Sequence, residues 1–232
     1  MKQLILLVGL ICAGSPALSF AADAPPAAGT AAASPATSVA GTTAAAAPSG
    51  TAKTPAKTGA AAGASAASPQ VQVVTSMGSF IIELNAERAP LTVPNFLKYV
   101  DQGHYTGTIF HRVIANFVIQ GGGFDKDYKA KPAPTKVVNE SGNGLTNVRG
   151  TVGMARSEDP HGSDAQFYVN LYDNEALDPN QTRWGYAVFG KVVQGMDVVD
   201  KIGNVVTTTH GVFKDTPVQP VLIERIERVP TP

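Results

Sequence analysis

Residues 110–124 read Phe-His-Arg-Val-Ile-Ala-Asn-Phe-Val-Ile-Gln-Gly-Gly-Gly-Phe, two short apolar runs on either side of Ala115 and Asn116. β-Branched and aromatic runs broken by an Asn-containing pair form the pattern of an antiparallel hairpin. Across its ladder Arg112, before the turn, and Gln120, after it, come near one another beside Phe117. Composition leaves two roles open for Arg112. It is either a strand arginine paired with an acidic neighbour or a cation held for use at a site.

The same texture extends outward from this stretch. Val71 and Val73, then Phe80, Ile82 and Leu84, fall on alternate positions either side of Ser76, Met77 and Gly78, which predicts a first hairpin. Val93, Phe96, Leu97 and Val100 then recur at helical spacing, with Thr92 as the expected cap, Pro94 tolerated in the first turn and Gly103 as the stop. Further runs span 109–114, 117–120, 151–155, 166–171, 186–193 and 221–229, and a second helix is predicted over Met196–Ile202, ended by Gly203. About eight short strands and two helices, without strand-helix-strand alternation, predict a mainly β domain. Closure into a barrel with the helices over its open ends is the expected architecture.

That texture begins only at Gln70 of the 232 residues. Of the 48 positions from Ala22 to Pro69, all but Asp23, Val39, Lys53 and Lys57 are Ala, Gly, Pro, Ser or Thr, so the segment 22–69 has nothing to bury and reads as a flexible linker. Residues 1–21 carry Lys2, an apolar run from Leu4 to Cys12, and Ser19 and Ala21 before a cut at Ala22, the pattern of a secretory signal peptide. The run is too short for a permanent span, which needs about 20 apolar residues. Export to a bacterial periplasm is the expectation. A lipid anchor on Cys12 is the lesser alternative, since Ile11 is large where lipoprotein signals prefer a small residue. Residues 70–232 remain as the domain, enough for one well-buried core.

Charge and missing motifs exclude several functions. Setting aside Lys2, Lys53, Lys57 and Asp23 leaves 15 basic against 17 acidic residues in the domain, with none of the basic excess of a nucleic-acid binder. Cys12 is the only cysteine. The domain therefore has no disulfide framework, thiolate metal site or thiol nucleophile. No hydrolase elbow or phosphate loop occurs, and His104, His111, His161 and His210 show no metal-ligand spacing. Neither metal nor cofactor is expected, and chemistry that breaks no bond is what remains.

Together with Gly153-Met154-Ala155-Arg156, the run Ala165 to Asn170, Leu177-Asp178 and the run Gly185 to Val193, the opening stretch resembles the cyclophilin-type peptidyl-prolyl isomerases, and most of all their exported bacterial branch. The resemblance covers Gln70 to Arg228 with the motifs in family order. It implies a closed eight-stranded antiparallel barrel capped by two α-helices, with a substrate groove on the outside. It also implies that Arg112 is the catalytic arginine, with Gln120 and Phe117 beside it. Phe117, Val118, Tyr168 and Leu177 would line the proline pocket, Ala155 and Gln166 would lie along the peptide groove, and Tyr186 would form its wall. His111 reads as a structural, hydrogen-bonding histidine.

The expected partners are proline-containing polypeptides such as unfolded or exported proteins, bound by a monomer. A holdase that grips proline loops without turning them over, or a tethered envelope scaffold, is the alternative. Four positions depart from the family pattern. Tyr168 stands where a Phe is usual, so its hydroxyl must find a partner or water. Ala176 stands where animal members carry a Trp, and Tyr186 where they carry a His; together these imply weak cyclosporin binding. Arg156 replaces a common Asn beside the groove.

Overall fold

The computed structural model describes residues 68–230. The expected leader (1–21) and all but the last two residues of the expected linker (22–69) lie outside them. Eight strands close into one antiparallel barrel in the order β1 (Gln70–Thr75), β10 (Leu222–Arg228), β3 (Thr108–Ile114), β4 (Val118–Asp125), β6 (Phe167–Asn170), β5 (Thr151–Met154), β7 (Val188–Gln194) and β2 (Gly78–Leu84). The first hairpin pairs as expected, Val71 with Ile82 and Val73 with Phe80. Closure leaves none of these strands with an exposed edge.

Alternation sends Val71, Val73, Phe80, Ile82, Phe110, Phe167, Val169 and Phe189 into a single buried cluster. Helix α1 (Thr92–Asp101) adds Val93, Phe96, Leu97 and Val100 to it, and α2 (Met196–Gly203) adds Val198, Val199 and Ile202. The ring of Phe96 lies 5.1 Å from Phe189 and 5.8 Å from Phe167, centroid to centroid. A helix that reaches the inside of a closed barrel enters through an open end, so the helices plug the barrel rather than lie on its wall.

Two local expectations are corrected. Thr92 does not cap α1; it is the first helical residue, and its buried Oγ1 has no hydrogen-bond partner. The cap comes from far along the chain: the Glu140 carboxylate accepts from Leu91 N (3.0 Å) and Thr92 N (2.8 Å). A carboxylate at this end satisfies orphan N–H groups and the helix dipole together. Gly203 does not stop α2 by leaving the helical region but is its last residue; a Cβ there would come within 2.6 Å of Leu171 Cδ1. Close packing, not a left-handed turn, explains that glycine. Gly103 behaves as expected, with φ +65° just beyond α1.

A second, two-stranded sheet was not anticipated. Strands β8 (Thr207–His210) and β9 (Phe213–Pro217) pair with each other, and β9 packs over β3. A 3-10 turn over Glu175–Leu177 was likewise unmarked in the sequence. Among the described residues no helix is long and apolar enough to cross a membrane, and no group of three or more His, Cys, Asp or Glu is placed to hold a metal.

Candidate active site

The site begins with an irregularity in β3. Phe110 pairs with Gly121 of β4, and Arg112 with Gln120, so two steps along β3 match one along β4. His111 is the extra residue, a β-bulge. Strict alternation would put Phe110 and Arg112 on the same face, inside the barrel. With the bulge, Phe110 and Val113 both enter the core while Arg112 lines a cleft outside it. The hairpin β8–β9 holds this bulge down. Thr216 Oγ1 donates to the His111 carbonyl (2.9 Å), and the His111 ring packs edge-on against Phe124 (4.7 Å) and Phe213 (6.3 Å).

The His111 ring is packed as a buried aromatic with no partner at Nδ1. Burial first, and the neighbouring Arg112 charge second, hold its pKa down to about 4, while a hydrogen bond with the Ile109 backbone works against the fall. The ring is neutral at physiological pH.

Ladder registers extend the row around the barrel. Arg112 pairs with Gln120, Gln120 with Tyr168 of β6, and Tyr168 with Gly153 of β5. Arg112 Nη1 donates to Gln120 Oε1 at 3.3 Å, and its Cζ lies 5.9 Å from the centre of the Phe117 ring. The acidic partner that composition left open is not there: among the described residues no carboxylate forms an ion pair with Arg112. Burial lowers its pKa, while Asp215 and Tyr186 act the other way. An arginine starts so high that it stays cationic.

A second apolar cluster, separate from the core, lies beside this guanidinium. Val118, Ala155, Tyr168 and Leu177 are buried there, with Phe117 and Tyr186 packed against them. Val118 and Tyr168 point outward because their strand neighbours Ile119, Phe167 and Val169 take the inward positions. Gly153 makes room for Tyr168, whose ring and hydroxyl occupy the space a Cβ would need. Tyr168 and Tyr186 meet edge to face at 6.1 Å.

The resulting cleft, about 300 Å³, is lined by Arg112, Gln120, Val118 and Ala155, with Tyr168, Leu177, Tyr186 and Arg156 completing it. Phe117 and Gln166 lie outside this lining. Phe117 flanks it through the apolar cluster, and Gln166 sits farther along, over Gly123 of β4. A larger hollow of about 850 Å³ lies by α1, but its Asp101 and Arg228 are paired to each other at 2.6 Å. Of these two, the smaller cleft is the one whose charged lining has no ion-pair partner among the described residues.

Under the cleft runs a polar floor that sequence reasoning missed. Tyr168 Oη donates to Asn147 Oδ1 (2.6 Å), which also accepts from Asn170 Nδ2 (3.2 Å). Asn147 Nδ2 donates to Asp178 Oδ1 (2.8 Å), and Asn174 Nδ2 to Asn170 Oδ1 (2.8 Å) and the Phe117 carbonyl (3.0 Å). The Tyr168 hydroxyl thus has its partner in the protein, and burial raises its pKa well above the usual phenol range, so it stays a donor. Three buried asparagines from two loops and β6 tie the floor together. Their only mark in the sequence was a run of Asn among turn residues, which reads the same as ordinary loop.

The cleft combines a cationic donor, an amide beside it and an apolar wall, and holds no nucleophile. It suits a reaction in which a neutral group is bound and distorted. Comparison with known proteins points the same way. The family model for "Cyclophilin type peptidyl-prolyl cis-trans isomerase/CLD" matches residues 70–228. A peptidyl-prolyl cis-trans isomerase of Streptomyces antibioticus is 52% identical over 159 residues, 66% of this chain and 95% of the relative. One from Acinetobacter baylyi is 48% identical over 161 residues, 69% of this chain and 86% of the relative. Peptidyl-prolyl cis-trans isomerase B of Escherichia coli is 47% identical over 155 residues, 66% of this chain and 94% of the relative. A crystal structure of a cyclophilin-type isomerase from Cryptosporidium parvum shares the fold at TM-score 0.59 and 24% identity, covering 71% of this chain and 99% of that one.

Proposed function

The chain belongs to the cyclophilin-type peptidyl-prolyl cis-trans isomerases, and from that premise we propose that Arg112 is the residue that lowers the barrier to rotation of a bound X-Pro bond. The activity itself is the interconversion of cis and trans bonds before proline in polypeptides. The bond resists rotation because the nitrogen lone pair is conjugated with the carbonyl, a barrier of about 18–20 kcal/mol. Uncatalysed exchange takes tens to hundreds of seconds. A rate near ~100 per second is a gain of ~10⁴, or ~5.4 kcal/mol. No covalent step is needed if the site binds the twisted imide better than either planar form.

Twisting localises the lone pair on nitrogen, which then accepts a hydrogen bond that the planar form accepts poorly. Arg112 donates that bond. Gln120, bonded to Arg112 at 3.3 Å, fixes the guanidinium or holds the peptide carbonyl as the other half turns. Val118, Tyr168 and Leu177, with Phe117 beside them, grip the pyrrolidine ring and exclude water, which strengthens the donated bond. One preorganised donor of this kind contributes about 2.7–4 kcal/mol. That is about half to three-quarters of the ~5.4 kcal/mol required.

The observation that carries the assignment is a guanidinium on the cleft wall with no acidic partner among the described residues. Relaxation of a short Ala-Ala-Pro peptide tests it. Arg112→Ala should cut kcat/KM by about 10²–10³; near-normal turnover would overturn the assignment. Suppression of aggregation at one-to-one stoichiometry with no catalysis by the wild type would instead favour a holdase.

Three further readings belong with this proposal. The leader pattern of residues 1–21 supports export to the periplasm, checked by mass spectrometry of the mature N-terminus, which also reports lipid on Cys12. The cleft is complete within one chain, which supports a working monomer; sedimentation at working concentration tests it. Ala176 and Tyr186 support weak cyclosporin binding, and a tight complex by calorimetry would contradict it.

A further inference from the structure

The cleft contains a second guanidinium that the rotation mechanism does not use. Arg156 follows Ala155 at the end of β5 and lines the same cleft as Arg112. Its orientation is set by three contacts. Nη1 donates to the Ser157 carbonyl (3.0 Å), Nη2 to the Trp184 carbonyl (3.2 Å), and Cζ stands 4.5 Å over the Tyr186 ring. Stacking and the two carbonyls hold the planar group in place, so little side-chain freedom is left to lose on binding.

None of these partners neutralises its charge. Glu158 and Asp159 follow closely in the chain, but among the described residues no carboxylate lies within ion-pair distance of Arg156, and its buried Nε has no hydrogen-bond partner. Asp178 and Asp159 have partners of their own: Asp178 accepts from Asn147, and Asp159 from the His161 backbone N–H. The cleft lining therefore holds two guanidinium groups and no acid. Walls of one charge sign focus the field on whatever binds between them.

We propose that Arg156 is a specificity-determining residue that gives this isomerase a preference for proline segments with a carboxylate side chain next to the proline. The inference rests on the assignment of this cleft as the isomerase site. With the pyrrolidine ring against Val118, Tyr168 and Leu177, the adjoining residue is displaced by only about 3.8 Å along the peptide. Because Arg156 lines the same cleft as Val118, Tyr168 and Leu177, the side chain of that residue comes under its influence. A carboxylate there meets unneutralised N–H donors, and a lysine meets two like charges. Because the contact does not depend on the twist, it acts on KM and leaves kcat nearly unchanged.

The test uses cis-to-trans relaxation of matched tetrapeptides: Ala-Glu-Pro-Ala, Ala-Gln-Pro-Ala and Ala-Lys-Pro-Ala, with Ala-Ala-Pro-Glu and Ala-Ala-Pro-Gln for the other flank. At low salt the wild type should favour Glu over the isosteric Gln by about fivefold in kcat/KM at one flank, the size of a partly exposed ion pair. Lys should be poorer than Gln. About 0.5 M salt should shrink the Glu preference to less than about twofold. Arg156→Gln should bring it to about one, and Arg156→Lys should keep part of it. Taking the ratio within each protein cancels any general loss caused by disturbing Tyr186 or Trp184. Equal rates for Glu and Gln at both flanks, or a ratio that survives Arg156→Gln, would overturn the proposal. Failure of the site assignment looks different: Arg112→Ala would then leave turnover of all five peptides intact.

Discussion

Two clusters of buried side chains sit on opposite faces of the same strands, and they do different work. Inside the barrel, Phe96, Phe110, Phe167 and Phe189 pack on one another and on the ring of Tyr105 within one apolar cluster. Outside it, Val118, Tyr168 and Leu177 are almost equally buried, but they rest on an asparagine floor and are flanked by two guanidinium groups. Burial by itself does not distinguish core from site. What distinguishes them is the charge and the polar support that surround the apolar patch. The inner cluster should therefore govern stability, and the outer one rate and specificity.

The strongest attempt to break this division is Phe167→Ala. Removing a fully buried ring should cost about 3–5 kcal/mol by denaturant unfolding. The folded fraction should retain much of its kcat, and a variant that loses catalysis without losing stability would contradict the division. Arg112→Ala is the converse, with activity down about 10²–10³ and an unfolding midpoint close to wild type. A large loss of stability there would mean that Arg112 holds the wall together rather than serving the reaction.

His111 sits on the bulge between the two regions and supplies a pH test. Its folded pKa of about 4 lies below the ordinary value of 6.5, so the unfolded chain binds the proton first as pH falls. The contribution is intact above pH 6.5, declines as pH drops, and is lost by about pH 4, a change of about 3 kcal/mol. Urea midpoints of wild type and His111→Phe, compared at pH 7 and pH 4.5, should converge or reverse at the lower pH. Parallel loss in both would show that another group carries the acid sensitivity.

Smaller effects sharpen the outline of the site. Thr216→Val removes the donor to the bulge carbonyl and should cost about 1 kcal/mol. Because that bond anchors the residue before Arg112, kcat should fall more than KM rises. Tyr168→Phe deletes one donor to Asn147, which keeps its bond from Asn170, so a loss of about 0.5–1.5 kcal/mol in stability is expected. Activity on neutral peptides should stay within a few-fold, since the apolar face of the ring remains.

Much of this is legible in the amino-acid sequence. The period of two in Val71, Val73, Phe80, Ile82 and Leu84 and the helical spacing of Val93, Phe96, Leu97 and Val100 are local signals, and all of these residues enter the core. The site residues named from the motif blocks converge on one cleft or its margin. The strand pair β8–β9 escaped notice because Thr207–His210 is exposed throughout and has no apolar alternation to betray it. The Glu140 cap lies 48 residues from Thr92, and Asn147 lies 21 from Tyr168. Neither partner leaves a trace in its neighbour's local sequence.

The sequence by itself determined the barrel strands and both helices, the faces most of them bury, and the set of side chains that gather at the cleft, because periodicity and residue type are properties of short stretches. Only the tertiary structure decided which strands are neighbours, placing β6 between β4 and β5, and β10 between β1 and β3. It also decided that the extra residue at His111 turns Arg112 out of the core. Alternation says that a side chain faces one way or the other, but a single bulge reverses the count. Whether that bulge persists depends on what packs over it, here Thr216 and Phe213 from more than a hundred residues away.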